Sequence, residues 1–175
     1  MRGPVVLKSA LAICLALANS DCGTSTSPSG TTNTCSITVS GAQTGSYACS
    51  AAAVGTWTSA TDRGAVGIAH AGTPAVTVAI QVPGDLATRA YSSTDTTVTG
   101  AVTVQTGTGG SAAVWAAVTG ASAQGSFSLT LTGVSYVATD TGGNKAYFVH
   151  GSVNATAPAI LGTAATGTVT FHASF

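Results

Sequence analysis

The chain has 175 residues, with five Lys or Arg, five Asp and no Glu, so its formal net charge is zero and only 6% of its residues are charged. This length suffices for one domain with a sizeable core, and the scarcity of Lys and Arg excludes the basic surfaces that bind nucleic acids or anionic membranes. Long helix-forming side chains are scarce while Thr and Val are abundant, which favours an all-β protein over a helical one.

Residues 1–20 have the order of an export signal. Arg2 and Lys8 supply a positive start, and the apolar run over 9–18 is shorter than the roughly 20 apolar residues that cross a bilayer. Small residues follow this run, which predicts cleavage after Ser20. An ordinary N-terminal helix or strand is the alternative.

Residues 21–34 are rich in Ser, Thr and Gly, a composition typical of a linker. Cys22 lies near the start of this linker, where bacterial lipoproteins carry the cysteine that becomes acylated. We therefore predict Cys22 as a lipidation site, with the membrane as a partner. Lipoproteins carry a small residue directly before that cysteine, whereas this chain has Asp21, so a freely secreted or periplasmic form is the alternative.

The cysteine count bears on the same question. Four cysteines are present, and Cys14 would be removed with the signal, which leaves Cys22, Cys35 and Cys49. Cys35 and Cys49 lie on the apolar sides of the first two predicted strands, joined by turn-forming residues 41–45, which predicts a disulfide between them. Cys22 is then left for a lipid or for an intermolecular disulfide.

From residue 35 to the C-terminus, apolar and polar side chains alternate in about nine short segments separated by turn-forming residues. The phase of the alternation changes near Thr132 and Gly133, which predicts a β-bulge, and residues 140–144 predict a hairpin loop. We expect an antiparallel β-sandwich over residues 35–175, of Ig-like or jelly-roll topology. The predicted strands lie at 35–40, 47–51, 64–70, 75–82, 97–106, 111–118, 127–136, 147–155 and 169–175.

Three segments, 35–49, 149–156 and 165–175, resemble parts of small lipoproteins common in myxobacteria and similar bacterial genomes. Together the segments cover less than half of the predicted mature chain. The resemblance implies an exported β-domain, and it implies no activity because none is established for that group.

Catalytic and metal-binding motifs are missing from the sequence. It has no Gly-x-Ser-x-Gly elbow and no His-x-His or His-x-x-x-His spacing, and the Asp residues after the linker occupy turn-like contexts. His150 and His172 could approach each other if their strands pair, although a solvated polar face is the simpler interpretation. We therefore expect a non-enzymatic protein without a cofactor or metal.

Trp57 and Trp115 are the candidate binding residues, because exposed aromatic rings on β-domains stack on sugars and anchor protein interfaces. Trp115 is out of phase with Val114 and Val118, which predicts an exposed ring face unless its strand is buried on both sides.

Three functional interpretations follow. The first is an exported, membrane-tethered domain of the cell envelope with a structural or interaction role, and the second is a carbohydrate- or protein-binding module. The third is a small outer-membrane barrel whose closing strand ends at Phe175. None of the three has a nucleic-acid partner.

Overall fold

The computed structural model describes residues 34–108, 112–120, 123–162 and 165–175, all within one compact unit, Asn33–Phe175. The predicted signal segment 1–20, Cys22 and nearly all of the linker 21–34 lie outside the described residues. Over the described ranges the chain forms eleven strands and no helix, and every pairing between strands is antiparallel. This part of the chain thus holds no helix able to cross a membrane. The predicted all-β antiparallel class is confirmed.

Most strands lie where apolar and polar side chains alternate. In chain order they are β1 (Ser36–Gly41), β2 (Gly45–Ala48), β3 (Val54–Thr58), β4 (Arg63–Ala71), β5 (Ala75–Pro83), β6 (Ala90–Ser92), β7 (Thr99–Thr106), β8 (Ala113–Val118), β9 (Ser126–Thr139), β10 (Lys145–Leu161) and β11 (Thr168–Ser174).

Strand β10, with 17 residues, organises the sheet. The strand order is β2-β1-β11-β10-β3-β4-β5-β7-β8, and off this path β9 pairs with β10 and β6 pairs with β9. One edge of β10 pairs first with β3 and then with β11, while the other pairs with β9 and, near its end, with β8. The path from β10 through β3, β4, β5, β7 and β8 therefore returns to β10. The two-layer sandwich stays a prediction, because these pairings join all eleven strands in one connected sheet.

The core consists of the apolar side chains at alternate strand positions. In β11, Phe171 is fully buried while its neighbours Thr170 and His172 are exposed, as the alternation predicts. Burial of one such large side chain stabilises the fold by about 1.5–3 kcal/mol. No polar or charged residue is buried in the described part of the chain.

The predicted bulge in β9 is confirmed. Leu131 pairs with Gly151 and Gly133 with His150, which leaves Thr132 as an extra residue on β9. A second extra residue, Val137, lies further along the same strand and is not predicted by the alternation. Tyr136 therefore lies between the two bulges of β9.

The predicted disulfide is also confirmed. Cys35 and Cys49 are bonded, with their Cα atoms 5.3 Å apart. They flank the hairpin of β1 and β2, in which Ser36 pairs with Ala48. The chain that enters from the linker is therefore covalently fixed where the sheet begins.

Candidate functional site

The charged residues of the described chain lie in or beside four connections: β3–β4, β5–β6, β6–β7 and β9–β10. The strand pairing brings these connections together, because Thr58 pairs with Arg63, Gln81 with Thr99, and Lys145 with Trp57. The charged residues in question are Asp62, Arg63, Asp85, Arg89, Asp95, Asp140 and Lys145. Charge is thus concentrated at one end of the strands.

Six side chains at this end form a connected group that we call the end cluster. They come from β3, β9, β10 and the turns after β3 and β5, so residues far apart in sequence meet there. The members are Trp57, Asp62, Asp85, Tyr136, Lys145 and Tyr147.

Asp85 is the centre of the end cluster. It follows the turn after β5, where Gly84 has a φ of +69° that few other residues adopt without strain. Lys145 Nζ lies 2.6 Å from Asp85 Oδ2, and Tyr147 donates its hydroxyl proton to Asp85 Oδ1 at 2.7 Å. The Leu86 N–H also donates to Oδ1, at 2.8 Å. One carboxylate therefore holds β10 against the turn after β5.

These contacts set the protonation states. Partial burial acts to raise the pKa of Asp85, but hydrogen bonds from Lys145, Tyr147 and the Leu86 N–H outweigh it and lower that pKa. The bond to Asp85 raises the pKa of Lys145. Burial, followed by the bond to Asp85, raises the pKa of Tyr147. At neutral pH Asp85 is thus a carboxylate, Lys145 an ammonium group and Tyr147 a protonated phenol.

Trp57 lies beside Lys145 on the neighbouring strand. Lys145 Nζ is 4.6 Å from the centre of the Trp57 ring, a cation–π contact, and Trp57 Nε1 donates to Asp62 Oδ1 at 3.0 Å. Asp62 adopts a left-handed backbone conformation with a φ of 48°, which Asp tolerates better than most residues. The indole is half-buried and fixed at two points, so its orientation is set before any ligand binds.

Tyr136 is the most exposed ring of the cluster, with 61% of its surface accessible. It meets the Tyr147 ring edge to face, at a centroid distance of 6.2 Å. Its hydroxyl lies 2.9 Å from Thr139 Oγ1. The ring is therefore supported on one side and open to solvent on the other.

The hairpin loop after β9, predicted at 140–144, is confirmed and borders the cluster. Asp140 accepts hydrogen bonds from the backbone N–H groups of Gly142 and Asn144 and from the Asn144 side chain. These bonds lower the pKa of Asp140. Ser59 donates to the Gly142 carbonyl at 3.0 Å, which joins this loop to the β3–β4 turn.

Trp115 is not part of the site. It is 2% exposed and donates its indole N–H to the Thr166 carbonyl at 3.1 Å. Of the two interpretations of Trp115, the structure shows the strand that is buried on both sides and not the exposed ring face: the inward side of β8 carries Ala113, Trp115 and Ala117, and Ala116 on its other side is buried too. The strand is buried on both sides at this point, so Trp115 belongs to the core.

The two histidines of the C-terminal strands do not meet. His172 pairs with Asn154, and its Nδ1 lies 2.8 Å from Asn154 Oδ1. His150 is four residues before Asn154 on β10, roughly 13 Å along the strand. No group of three or more His, Cys, Asp or Glu residues suited to a metal occurs in the described ranges.

The sheet face of β1, β9, β10 and β11 is a second candidate surface, which we call the hydroxyl face. Its outward residues pair across the strands in three uncharged rows, and one edge forms an open groove of about 290 Å³ beside Ser93 and Asn154. The rows are Ser36–Ser174–Ser152–Thr130, Thr38–His172–Asn154–Ser128 and Ser40–Thr170–Thr156–Ser126. The groove has no exposed aromatic ring and no charged side chain, so the end cluster is the stronger candidate.

The sequence predicts Trp57 as a binding residue but none of the other five members of the end cluster. Asp62 and Asp85 are typical turn residues by their context, and Tyr136 and Tyr147 follow the core phase of their strands. One signal was present: Lys145 is the single Lys of the chain beyond residue 8. A single Lys at the start of a long apolar strand indicates that an anionic side chain lies close to it in the fold.

Comparisons with known proteins give no guide to function. No protein-family model matches the chain, and searches of curated proteins and of solved structures find no similar protein.

Proposed function

We propose that this protein is an exported, membrane-tethered, non-enzymatic domain of the cell envelope with an interaction role. Residues 1–20 direct export, a lipid on Cys22 anchors the mature chain, and residues 21–34 form the tether. The end cluster is the surface that contacts the ligand.

The Cys35–Cys49 disulfide is the observation that carries this proposal. Disulfides persist in oxidising compartments outside the cytosol, which supports export. The bond also uses two of the three cysteines that follow the predicted signal, so Cys22 is the one cysteine left to explain. A thioether bond between Cys22 and a lipid accounts for this cysteine without an intermolecular disulfide.

The position of the disulfide suits a tethered domain. A fully extended linker over residues 21–34 would reach at most about 50 Å. The linker leads directly to Cys35, and β1 is hydrogen-bonded to β2 on one side and to β11 on the other. A pull on the anchor is therefore resisted by a covalent bond and two ladders of hydrogen bonds.

The end cluster is arranged for binding rather than catalysis. Its central carboxylate already accepts three hydrogen bonds, and the raised pKa of Tyr147 keeps the phenol protonated near neutral pH. The cluster contains no His, Cys or Ser that these groups could activate. Fixed aromatic rings beside polar groups are what a binding surface requires.

The test is the mass of the mature N-terminus, measured on full-length protein expressed in a Gram-negative host and isolated from its membranes. We expect a diacylglyceryl adduct on Cys22, and we expect Cys22→Ser to release the protein into the soluble fraction. Cys14→Ser is the matched control, because it alters a signal-segment cysteine and leaves the anchor in place. A mature chain that begins at Asp21 with a free thiol on Cys22 would overturn the tether.

A further inference from the structure

We propose that the end cluster binds a neutral saccharide chain, with Tyr136 as the stacking platform and the exposed part of Trp57 as a second contact. The inference rests on the interaction role assigned above to the same cluster, and it names the chemical class of the ligand.

Tyr136 provides a suitable platform, and Trp57 provides a second, smaller contact. A sugar ring has a face of C–H groups that packs against an aromatic face, while its hydroxyls form hydrogen bonds around the rim. The Tyr136 ring is largely exposed and is held edge to face by Tyr147. Trp57 is half-buried, packs against the core and has Lys145 over its ring, so only its remaining exposed part can meet a ligand. Rings that are already immobilised lose little conformational entropy when a ligand binds.

The spacing of the rings favours a chain over a single sugar. Trp57 lies on β3 and Tyr136 on β9, the strands that pair with β10 on its two edges. Strands are about 4.8 Å apart, so the two backbones are separated by roughly 10 Å. A ligand that contacts both rings must therefore extend across β10.

Polar groups lie between and beside the rings. Asp62 uses one carboxylate oxygen for Trp57 Nε1, and its other oxygen has no partner among the described residues, so it can accept from a sugar hydroxyl. The Lys145 ammonium has three protons, and its contacts with Asp85 and Tyr147 leave at least one of them for a ligand. The cluster thus offers both an acceptor and a donor.

Charge selects against acidic polysaccharides. The charged residues at this end of the strands are four carboxylates and three cations, Arg63, Arg89 and Lys145, so the end carries a net charge of about −1. The local field is therefore negative, which disfavours uronic acids and phosphorylated sugars. A neutral saccharide meets no such penalty.

The experiment is calorimetric titration of the mature full chain in detergent with cellohexaose, chitohexaose, xylohexaose, laminarihexaose and hexagalacturonate. We expect at least one neutral hexasaccharide to bind and hexagalacturonate not to bind. Tyr136→Ala should weaken binding about three- to tenfold through the lost ring contact. Trp57→Ala combined with Tyr136→Ala should abolish it.

Phe148→Ala is the matched control. Phe148 is an exposed aromatic residue of the same strand as Lys145, 42% accessible, and lies outside the cluster, so its removal should leave affinity unchanged. Because Tyr136 is mostly exposed, Tyr136→Ala should keep the thermal transition of the parent protein, which separates lost binding from lost folding.

Three results would overturn the saccharide proposal: no neutral hexasaccharide binds, the acidic one binds equally well, or the double variant keeps its affinity. The N-terminal mass is measured on the same preparation. An acylated Cys22 without saccharide binding refutes the ligand alone, whereas binding by a chain with an unmodified Cys22 refutes the tether alone.

Discussion

Asp85 shows how a single carboxylate on the surface organises this protein. It accepts hydrogen bonds from Lys145 and Tyr147, which are 60 and 62 residues away in sequence. Both partners of the ion pair keep more than a third of their side-chain surface accessible, so water screens the pair and it contributes little to stability. Its main effect is to fix where Lys145 and Trp57 lie.

The protonation states at this end predict a broad pH plateau of stability. The pKa of Asp85, Asp95 and Asp140 is lowered on folding, so their contributions are present above the ordinary Asp value of 3.8 and are lost as the pH falls through the folded values. The pKa of Lys145 and Tyr147 is raised, so their contributions are present below about 10 and are lost as the pH rises through the folded values. These groups therefore predict constant stability from about pH 5 to 9.

The measurement is the urea midpoint between about pH 3 and 11 for the parent protein and for Asp85→Asn. The variant removes the partner of Lys145 and Tyr147, so its midpoint should fall less steeply at both extremes. Equal slopes in the two proteins would show that Asp85 does not shape the pH dependence.

At this scale the sequence identifies Trp57 as a candidate by residue type alone. It cannot identify the cluster, because Asp85 and Lys145 become neighbours only through the strand order. At Trp115 the pattern misleads in a different way. The alternation of Val114 and Val118 predicts that their side of β8 is the buried one, whereas Ala113, Trp115 and Ala117 are buried on the opposite side. Ala is only weakly apolar, so Ala113 and Ala117 do not mark that side in the sequence.

At the scale of elements, the β1–β2 hairpin depends on its disulfide. The bonded cysteines are 14 residues apart, and in the chain-entropy model a loop of this size stabilises the fold by about 3 kcal/mol. We expect the double variant Cys35→Ser, Cys49→Ser to lose about that much free energy of unfolding in urea. Reduction of the parent protein should have the same effect, and an unchanged midpoint after reduction would contradict it.

The pairing of β9 with β10 leaves no room for a side chain at Gly151. A Cβ at this position would overlap the Thr130 carbonyl oxygen, a backbone atom that cannot move without shifting β9. We expect Gly151→Ala to destabilise the protein by about 1–3 kcal/mol, measured as the free energy of unfolding. Gly67→Ala is the matched control, because nothing lies within 4 Å of a Cβ there and Ala restricts the unfolded chain. Equal losses at the two glycines would refute the steric explanation.

Some elements could be predicted from pattern and others could not. Strand β5 alternates Val and Ile with small or polar residues over its whole length, and the phase slip at Thr132 is visible because large apolar residues flank it. Strand β3 is missed because Gly55 occupies a buried position, and β6 because three residues carry too little pattern. The pairing of β10 with four partners is set by register, which local sequence does not encode.

At the scale of the whole molecule, the free edges of the eleven described strands are protected. Edge strands invite pairing with other chains. The edge strands β2 and β6 have only four and three residues, and the free second half of β9 contains both bulges. Strand β8 is joined to β10 as well as to β7, which removes a further edge. Short, bulged or paired edges suit a protein with few charges to keep copies apart.

Away from the end cluster, the hydroxyl face presents hydroxyl groups rather than charges to solvent. The three rows of the hydroxyl face present Ser, Thr, Asn and one His to solvent, and Ser36 and Ser174 hydrogen-bond within the first row. In the part of the chain that the structure describes, the charged residues lie at the end with the cluster. Neither the core nor this face therefore depends on ion pairs.

This distribution predicts that stability is almost independent of ionic strength. Within the described residues there is one ion pair, Lys145–Asp85, and it is partly exposed, while the core holds no charge. Added NaCl screens exposed charges, so among these residues it can weaken only that pair, whose contribution is already small. In a domain of this size 1 kcal/mol corresponds to a few degrees of Tm. We expect Tm by circular dichroism to change by less than about 4 °C between about 20 and 500 mM NaCl, and Lys145→Met to reduce that change further. A larger shift, or one that Lys145→Met leaves intact, would mean that charges outside this pair contribute to the fold.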